Sequence, residues 1–264
     1  MIKRDGHIHS PFCPHGSSDT MASYCERAIA HGIETITFTE HAPLPAGFTD
    51  PTPAQDSAMK EADLPHYFSL INQLKKEYAS HLDILTGLEI DYLIGYEQNT
   101  TTFLNDVGPF LDDSILSVHF LLINGSYYCM DYSPAVFKTM AKQLGSVDLL
   151  YKKYYETVLS SVKANLGSFK PKRVGHMTLC HKFRKKHPAK LSFNHEMNLI
   201  LDAVKQNHME LDYNGAGVMK PDCGETYPPA SIAQAALNKG IKLVYGSDAH
   251  SASALLAGVD QLHM

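Results

Sequence analysis

The chain has 264 residues, 44% of them hydrophobic and 19% charged, enough for a globular protein with a sizeable core. A net charge of −5 leaves no global basic field to hold a nucleic-acid backbone. Five cysteines, an odd count with no C-x-x-C pair, argue against a disulfide framework or a zinc knuckle.

Strand-like and helix-like segments alternate from the start. "KRDGHIH" reads as a first strand and "DTMASYCERAIAHG" as a helix with a polar start and a glycine stop. "IETITFTEH" is a second strand, followed by a proline-rich loop. "LPHYFSLINQLKKEYASH" has apolar residues at helical spacing, and "LDILTGLEID" is a third strand. "DSILSVHFLL" makes a fourth strand, and "YSPAVFKTMAKQLG" and "VDLLYKKYYETVLSSVKANLG" are helical. "PKRVGHMTL" is a fifth strand, "SFNHEMNLILDAVKQNH" a helix, and "MELDYN" a sixth strand. "PPASIAQAALNKG" is the last long helix and leads into "IKLVYGSDAH", the seventh strand. This repetition favours an α/β fold with a parallel sheet under covering helices, either a closed (β/α) barrel or a doubly wound open sheet. No repeat, linker or low-complexity tract divides residues 1–264, so one domain is expected. No run approaches the roughly 18 apolar residues of a membrane span. The opening "MIKRDGHIHS" has no apolar leader, so a cytoplasmic protein is expected.

The chemistry gathers at the strand ends. His7 and His9 are separated by one residue, so on a strand both point to the same face. The second strand ends in Glu40 and His41, the third passes Glu89, and the fourth carries His119. The fifth carries His176, and the seventh runs into Asp248 and His250. Barrel enzymes collect their reactive groups at this end of the strands. Imidazole and carboxylate without thiolate is a donor set for catalytic zinc, manganese or iron, and this points to a multinuclear metal site. His15, in the loop after the first strand, can fold back over the same mouth. Asp212 and Asn214, ending the sixth strand, can orient the ligands from behind. Strand periodicity with ligand chemistry leaves Glu40 and His41 both open as the ligand from the second strand.

The segments "DGHIHSPFCPHG", "FTEHAPLP", "GLEIDYLIGYE", "SVHF", "VGHMTLCHKF" and "GSDAH", in this order, resemble the histidinol-phosphate phosphatases of the PHP (polymerase and histidinol phosphatase) superfamily. The resemblance spans nearly the whole chain. It implies a distorted (β/α)7, TIM-like barrel with three divalent metal ions (zinc, manganese or iron). One ion would take His7, His9, Glu89 and Asp248, with Glu89 bridging to a second that also takes His119 and His176. The third would take His15, His41 and His250. Two departures stand out: the stretch after "SDAH" is shorter than the family's usual ending, and His181 stands where the family often has arginine. Lys182 and Arg184, in the basic run "KFRKKHPAK", are then the nearest candidates to hold phosphate.

The implied reaction is hydrolysis of a small phosphorylated amino-alcohol, L-histidinol phosphate, with Asp248, Glu89 and His250 as the catalytic groups. Metal-activated hydroxide would attack phosphorus, and Asp248 or a neighbouring histidine would protonate the leaving oxygen. Glu40, Asp91, Tyr92, Tyr96, Asp131 and Asp222 are candidate partners for an imidazole- and amine-bearing substrate. Another small phosphate ester is the alternative substrate. An amidohydrolase would want a bridging lysine at a strand end, and the chain has none. A single-strand nuclease would want an aromatic and basic stripe, also missing. A non-catalytic metal sensor is separated from an enzyme by turnover alone. Nothing in the sequence reads out an oligomeric state.

Overall fold

The computed structural model describes residues 2–262. Nine strands form among them: β1 (Arg4–Ile8), β2 (Thr35–His41), β3 (Asp83–Asp91), β4 (Ile115–Ser117), β5 (Phe120–Ile123), β6 (Ser126–Cys129), β7 (Arg173–Val174), β8 (Glu210–Asn214) and β9 (Leu243–Gly246). Seven make one parallel sheet in the order β1-β2-β3-β4-β7-β8-β9, and β5 pairs only with β6. The sheet curls until its edges meet. Ile8 bridges Ala249 in parallel, with His9 N donating to Ala249 O at 3.0 Å and Asp248 N to His7 O at 2.8 Å. The expected (β/α) barrel is the fold, and the open sheet is not.

Helices α1 (Met21–Ala30), α2 (Leu64–Glu77), α3 (Glu97–Val107), α4 (Pro134–Leu144), α5 (Val147–Lys163), α6 (Asn194–Gln206), α7 (Ala216–Met219) and α8 (Ala230–Asn238) accompany the barrel. Local chemistry sets their ends. Thr20 caps α1 by accepting from Ser23 N, and Ser133 and Ser146 do the same for α4 and α5. Gly145 adopts the left-handed conformation (φ 100°) that turns the chain from α4 to α5. Period-two alternation then sorts the strands. Ile36 and Phe38 of β2 and Leu88 and Ile90 of β3 are buried in one core with Met21, Tyr24 and Ala28 of α1 and Tyr67 and Ile71 of α2. Burying each such large side chain stabilises the fold by roughly 1.5–3 kcal/mol.

The interior of the barrel is polar. Arg173 on β7 is fully buried and donates to Gly6 O (2.8 Å) and Asp113 Oδ2 (2.6 Å), which Arg4 also reaches at 2.6 Å. A Cβ on Gly6 would stand 2.1 Å from Arg173 Nη1, so only glycine leaves room for the guanidinium. The other end of the strands carries the histidines.

One expected strand is altered, and one helix is added to those expected. The fourth strand is broken: it stops at Ser117, and β5 turns away into a hairpin, because His119 N donates to Asp91 Oδ1 (3.1 Å) rather than to a neighbouring strand. Helix α3 went unread in the sequence because "EQNTTTFLNDV" is rich in poor helix formers, and only Thr100, Leu104 and Val107 make its buried stripe. After β9, the described residues form only short 3-10 turns at 252–254 and 259–261. This segment lies against the barrel through Tyr245, whose hydroxyl donates to Ala257 O at 2.8 Å, and through close backbone contact of Gly258 with Gly215.

Candidate metal centre

Glu89 is the centre of the site. Its register opposite His41 on β2 and its inward position on β3 put its carboxylate, 1% exposed, among five imidazoles. Oε2 lies 3.2 Å from His41 Nδ1, 3.4 Å from His7 Nε2 and 3.5 Å from His9 Nε2. Oε1 lies 2.9 Å from His176 Nε2 and 3.8 Å from His119 Nε2, and accepts from Ser117 Oγ at 2.5 Å. Asp248 closes the group from β9's side, with Oδ1 at 3.1 Å from His9 Nε2 and 3.7 Å from His7 Nε2. Its φ of 54° is strained for a non-glycine residue, and the strain falls at the site. His250 stacks on His9 at 3.9 Å between ring centroids, and exposed His15 stands 5.1 Å from His250 and 5.3 Å from His41.

Behind the imidazoles stands a set of carboxylates. His7 Nδ1 lies 2.9 Å from Asp212 Oδ2, His119 Nδ1 2.9 Å from Asp91 Oδ1, and His9 Nδ1 3.3 Å from Glu40 Oε1. Asn214 Nδ2 ties Asp212 to Asp248 at 3.1 and 3.2 Å. Such contacts fix which ring nitrogen faces the centre.

The field is strongly negative. Burial opposes protonation of His7, yet Glu89, Asp212 and Asp248 hold its pKa well above the ordinary value. Against the same penalty, Asp248 and Glu40 raise His9 to about 9, and Asp91 and Glu89 raise His119 to about 10. Glu89 and Asp248 stay well below the carboxylate range despite burial, held there mainly by His7. His41 and His250 go the other way, through burial and the neighbouring His9, His250 to about 3.

These residues fit divalent cations. Buried His7 Nε2, His9 Nε2, His41 Nδ1 and Glu89 Oε2 have no hydrogen-bond partner, and a buried polar atom without a partner is costly. Ligand atoms of His7, His9 and Glu89, and separately of His41, Glu89 and His119, lie within 4.8 Å of one another. The centre opens into a cavity of about 790 Å³, in the range that takes small molecules, with His15, His41, His119, His176, Asp248 and His250 on its wall.

A PHP domain profile matches residues 5–216. The histidinol-phosphatase of Bacillus subtilis is 52% identical over 96% of this chain and 95% of its own length. This chain belongs to the histidinol-phosphatase branch of the PHP family. A probable histidinol-phosphatase of Deinococcus radiodurans is 33% identical over 93% of this chain and 85% of its own. Among solved structures, a Listeria monocytogenes chain provisionally described as the histidinol phosphatase HisK superposes with a TM-score of 0.95 at 40% identity, covering 99% of this chain and all of its own. The histidinol phosphate phosphatase of Lactococcus lactis, solved with zinc, L-histidinol and phosphate, shares the fold at a TM-score of 0.71 and 23% identity, covering 95% of this chain and 87% of its own.

Against the family pattern, several expected contacts move. Glu40 is fully buried and off the cavity wall, on the far side of β2 from His41, accepting from Ser10 N and His41 N (both 2.9 Å) and lying behind His9. Arg184 is off the cavity wall and paired with Glu225, whereas Lys182 lines the cavity, paired with Asp131 at 2.8 Å. Asp222 pairs with Lys186 outside the cavity, Tyr92 with Glu97, and Tyr96 with Gly47 O. His181 Nδ1 lies 2.6 Å from Glu225 Oε1. Tyr132, Met219 and the 251–258 segment line the cavity, and nothing in their sequence marked them.

Proposed function

We propose that this phosphatase hydrolyses L-histidinol phosphate to L-histidinol and phosphate, in a cytoplasmic protein acting as one catalytic unit over residues 1–264. The observation that carries the reading is one carboxylate, Glu89, shared by five imidazoles, three of which line one cavity. Identity of 52% to a histidinol-phosphatase supports the substrate, and the zinc, L-histidinol and phosphate bound by the Lactococcus relative agree with it. Among the described residues no helix is long and apolar enough to cross a membrane.

Three cations would be held, the first by His7, His9, Glu89 and Asp248, the second by Glu89, His119 and His176, the third by His15, His41 and His250. Bound there, divalent ions polarise phosphoryl oxygens and make water a nucleophile near neutral pH. The chain's own groups supply the rest. Lys182 Nζ, on the cavity wall, offers charge-assisted hydrogen bonds to a phosphoryl oxygen. Asp248, facing both the histidines and the opening, or a neighbouring histidine would pass a proton to the leaving alkoxide. Asn214 holds Asp248 Oδ2 for that transfer. His250, kept neutral, presents a lone pair to the centre rather than a charge.

The test is phosphate release from L-histidinol phosphate by protein reconstituted with Zn²⁺, Mn²⁺ or Fe²⁺, beside sugar, nucleotide and amino-alcohol phosphates. Selective, metal-dependent turnover of histidinol phosphate is expected. Faster turnover of another ester would keep the chemistry and overturn the substrate.

A further inference from the structure

The loop after β1 brings one more potential donor to the site, the thiol of Cys13. Its side chain is buried, 4% exposed, although the loop around it is largely at the surface. Ligand atoms of His9, Cys13, His41 and His250 all lie within 4.8 Å of one another. Donors on one tetrahedral zinc ion stand roughly 3.3–3.8 Å apart, given bonds of about 2.0–2.3 Å. The group is therefore within small side-chain adjustment of a shared cation.

A further observation points the same way. His9 Nε2 and His41 Nδ1 are buried, lack a hydrogen-bond partner and belong to this same group. The turn holds the cysteine in place, Cys13 N donating to Ser10 O at 3.0 Å and Gly16 N to Cys13 O at 3.1 Å. Burial and the nearby Glu40 raise the pKa of the free thiol, so a cation must displace its proton to bind the sulfur.

We propose that Cys13 is a thiolate ligand to the outer cation, joining His41 and His250, its proton being released to solvent on binding. This rests on the metal reading of the site and extends it to a residue that reading does not use. A thiolate is a soft donor, and it makes this position select zinc or cobalt over manganese and magnesium. The two inner positions, built from imidazole and carboxylate alone, lack that preference.

The experiment is cobalt reconstitution of the metal-free full-length chain, followed by ultraviolet–visible absorption and by metal analysis after gel filtration. A sulfur-to-cobalt charge-transfer band in the near ultraviolet is expected, saturating with the last equivalent of cobalt bound. It should be lost in Cys13→Ser and kept in Cys129→Ser, the cysteine on the cavity wall. Cys13→Ser should also weaken zinc at its weakest site by at least about tenfold, with manganese affinity changed less than about twofold. Cobalt bound with d–d bands but no charge-transfer band in the wild-type protein overturns the proposal without touching the metal centre. A band that survives Cys13→Ser overturns it too. If Cys13→Ser does not fold, the wild-type spectrum decides alone. No retained cobalt at all would sink the metal reading itself, and this inference with it.

Discussion

Asp212→Asn tests whether the carboxylates behind the histidines tune the centre. Asp212 and His7 are both fully buried, and Asp212 Oδ2 receives three contacts: His7 Nδ1 at 2.9 Å, Asn214 Nδ2 at 3.1 Å and His176 N at 3.4 Å. Asp212 Oδ1 has no partner. Asparagine can therefore keep its oxygen at the Oδ2 position and place its amide nitrogen at the Oδ1 position. Shape and acceptor are conserved, and only the charge goes. Removing such an outer partner costs 10–100-fold in metal affinity, about 1.4–2.7 kcal/mol. We expect Asp212→Asn to fold, to lose affinity by that factor at its tightest site in competition with a chromophoric chelator, and to recover most turnover at saturating metal. Asp222→Asn, at a surface pair with Lys186, should bind metal as the wild type does. Unchanged affinity in Asp212→Asn would refute the orienting role and leave Asp212 a packing residue.

Three further outcomes follow from the same geometry. Lys182→Met should lower kcat/KM for histidinol phosphate about 10–100-fold, since a hydrogen bond to a charged group contributes about 1.5–3 kcal/mol, with metal content unchanged by elemental analysis; wild-type kinetics would remove Lys182 from the phosphate site. Gly246→Ala would set a Cβ 2.4 Å from Asp212 Oδ1 and 2.5 Å from His7 Cβ, and should cost about 1–3 kcal/mol of stability and most metal binding, measured by thermal unfolding and metal analysis. The metal-free protein should be pH-sensitive in a defined direction. His9 and His119 have native pKa values raised to about 9 and about 10, so their contribution is complete below the unfolded value near 6.5 and lost as pH rises through 9–10. Thermal unfolding of the metal-free chain should therefore weaken between pH 7 and 10, while metal affinity strengthens over the same interval as competing protons leave. A metal-free midpoint that rises over that range would contradict the protonation pattern.

How much of this was legible in the sequence depended on the kind of signal. Period two is a local rule, and it put His7 beside His9 before any fold was known. The same rule, carried one step further along "TITFTEH", separates His41 from Glu40: His41 shares a face with Thr37 and Thr39, and Glu40 shares one with Ile36 and Phe38. That alternation was available and went unused until the family pattern chose His41. The sixth strand's Asp212 and Asn214 share one face for the same local reason, and they hydrogen-bond His7 and Asp248. What failed was non-local. Arg184 and Lys182 sit two residues apart in one basic run, and sequence cannot tell which faces the cavity. That is decided by Glu225, 41 positions from Arg184, and by Asp131, 51 from Lys182. The break in the fourth strand has the same origin, since the backbone of His119 is captured by the side chain of Asp91. An imidazole held from both sides, by Glu89 in front and Asp91 behind, cannot also continue a regular ladder. The irregular strand is thus a consequence of building the site, and sequence patterns read best where the site asks nothing unusual of the backbone.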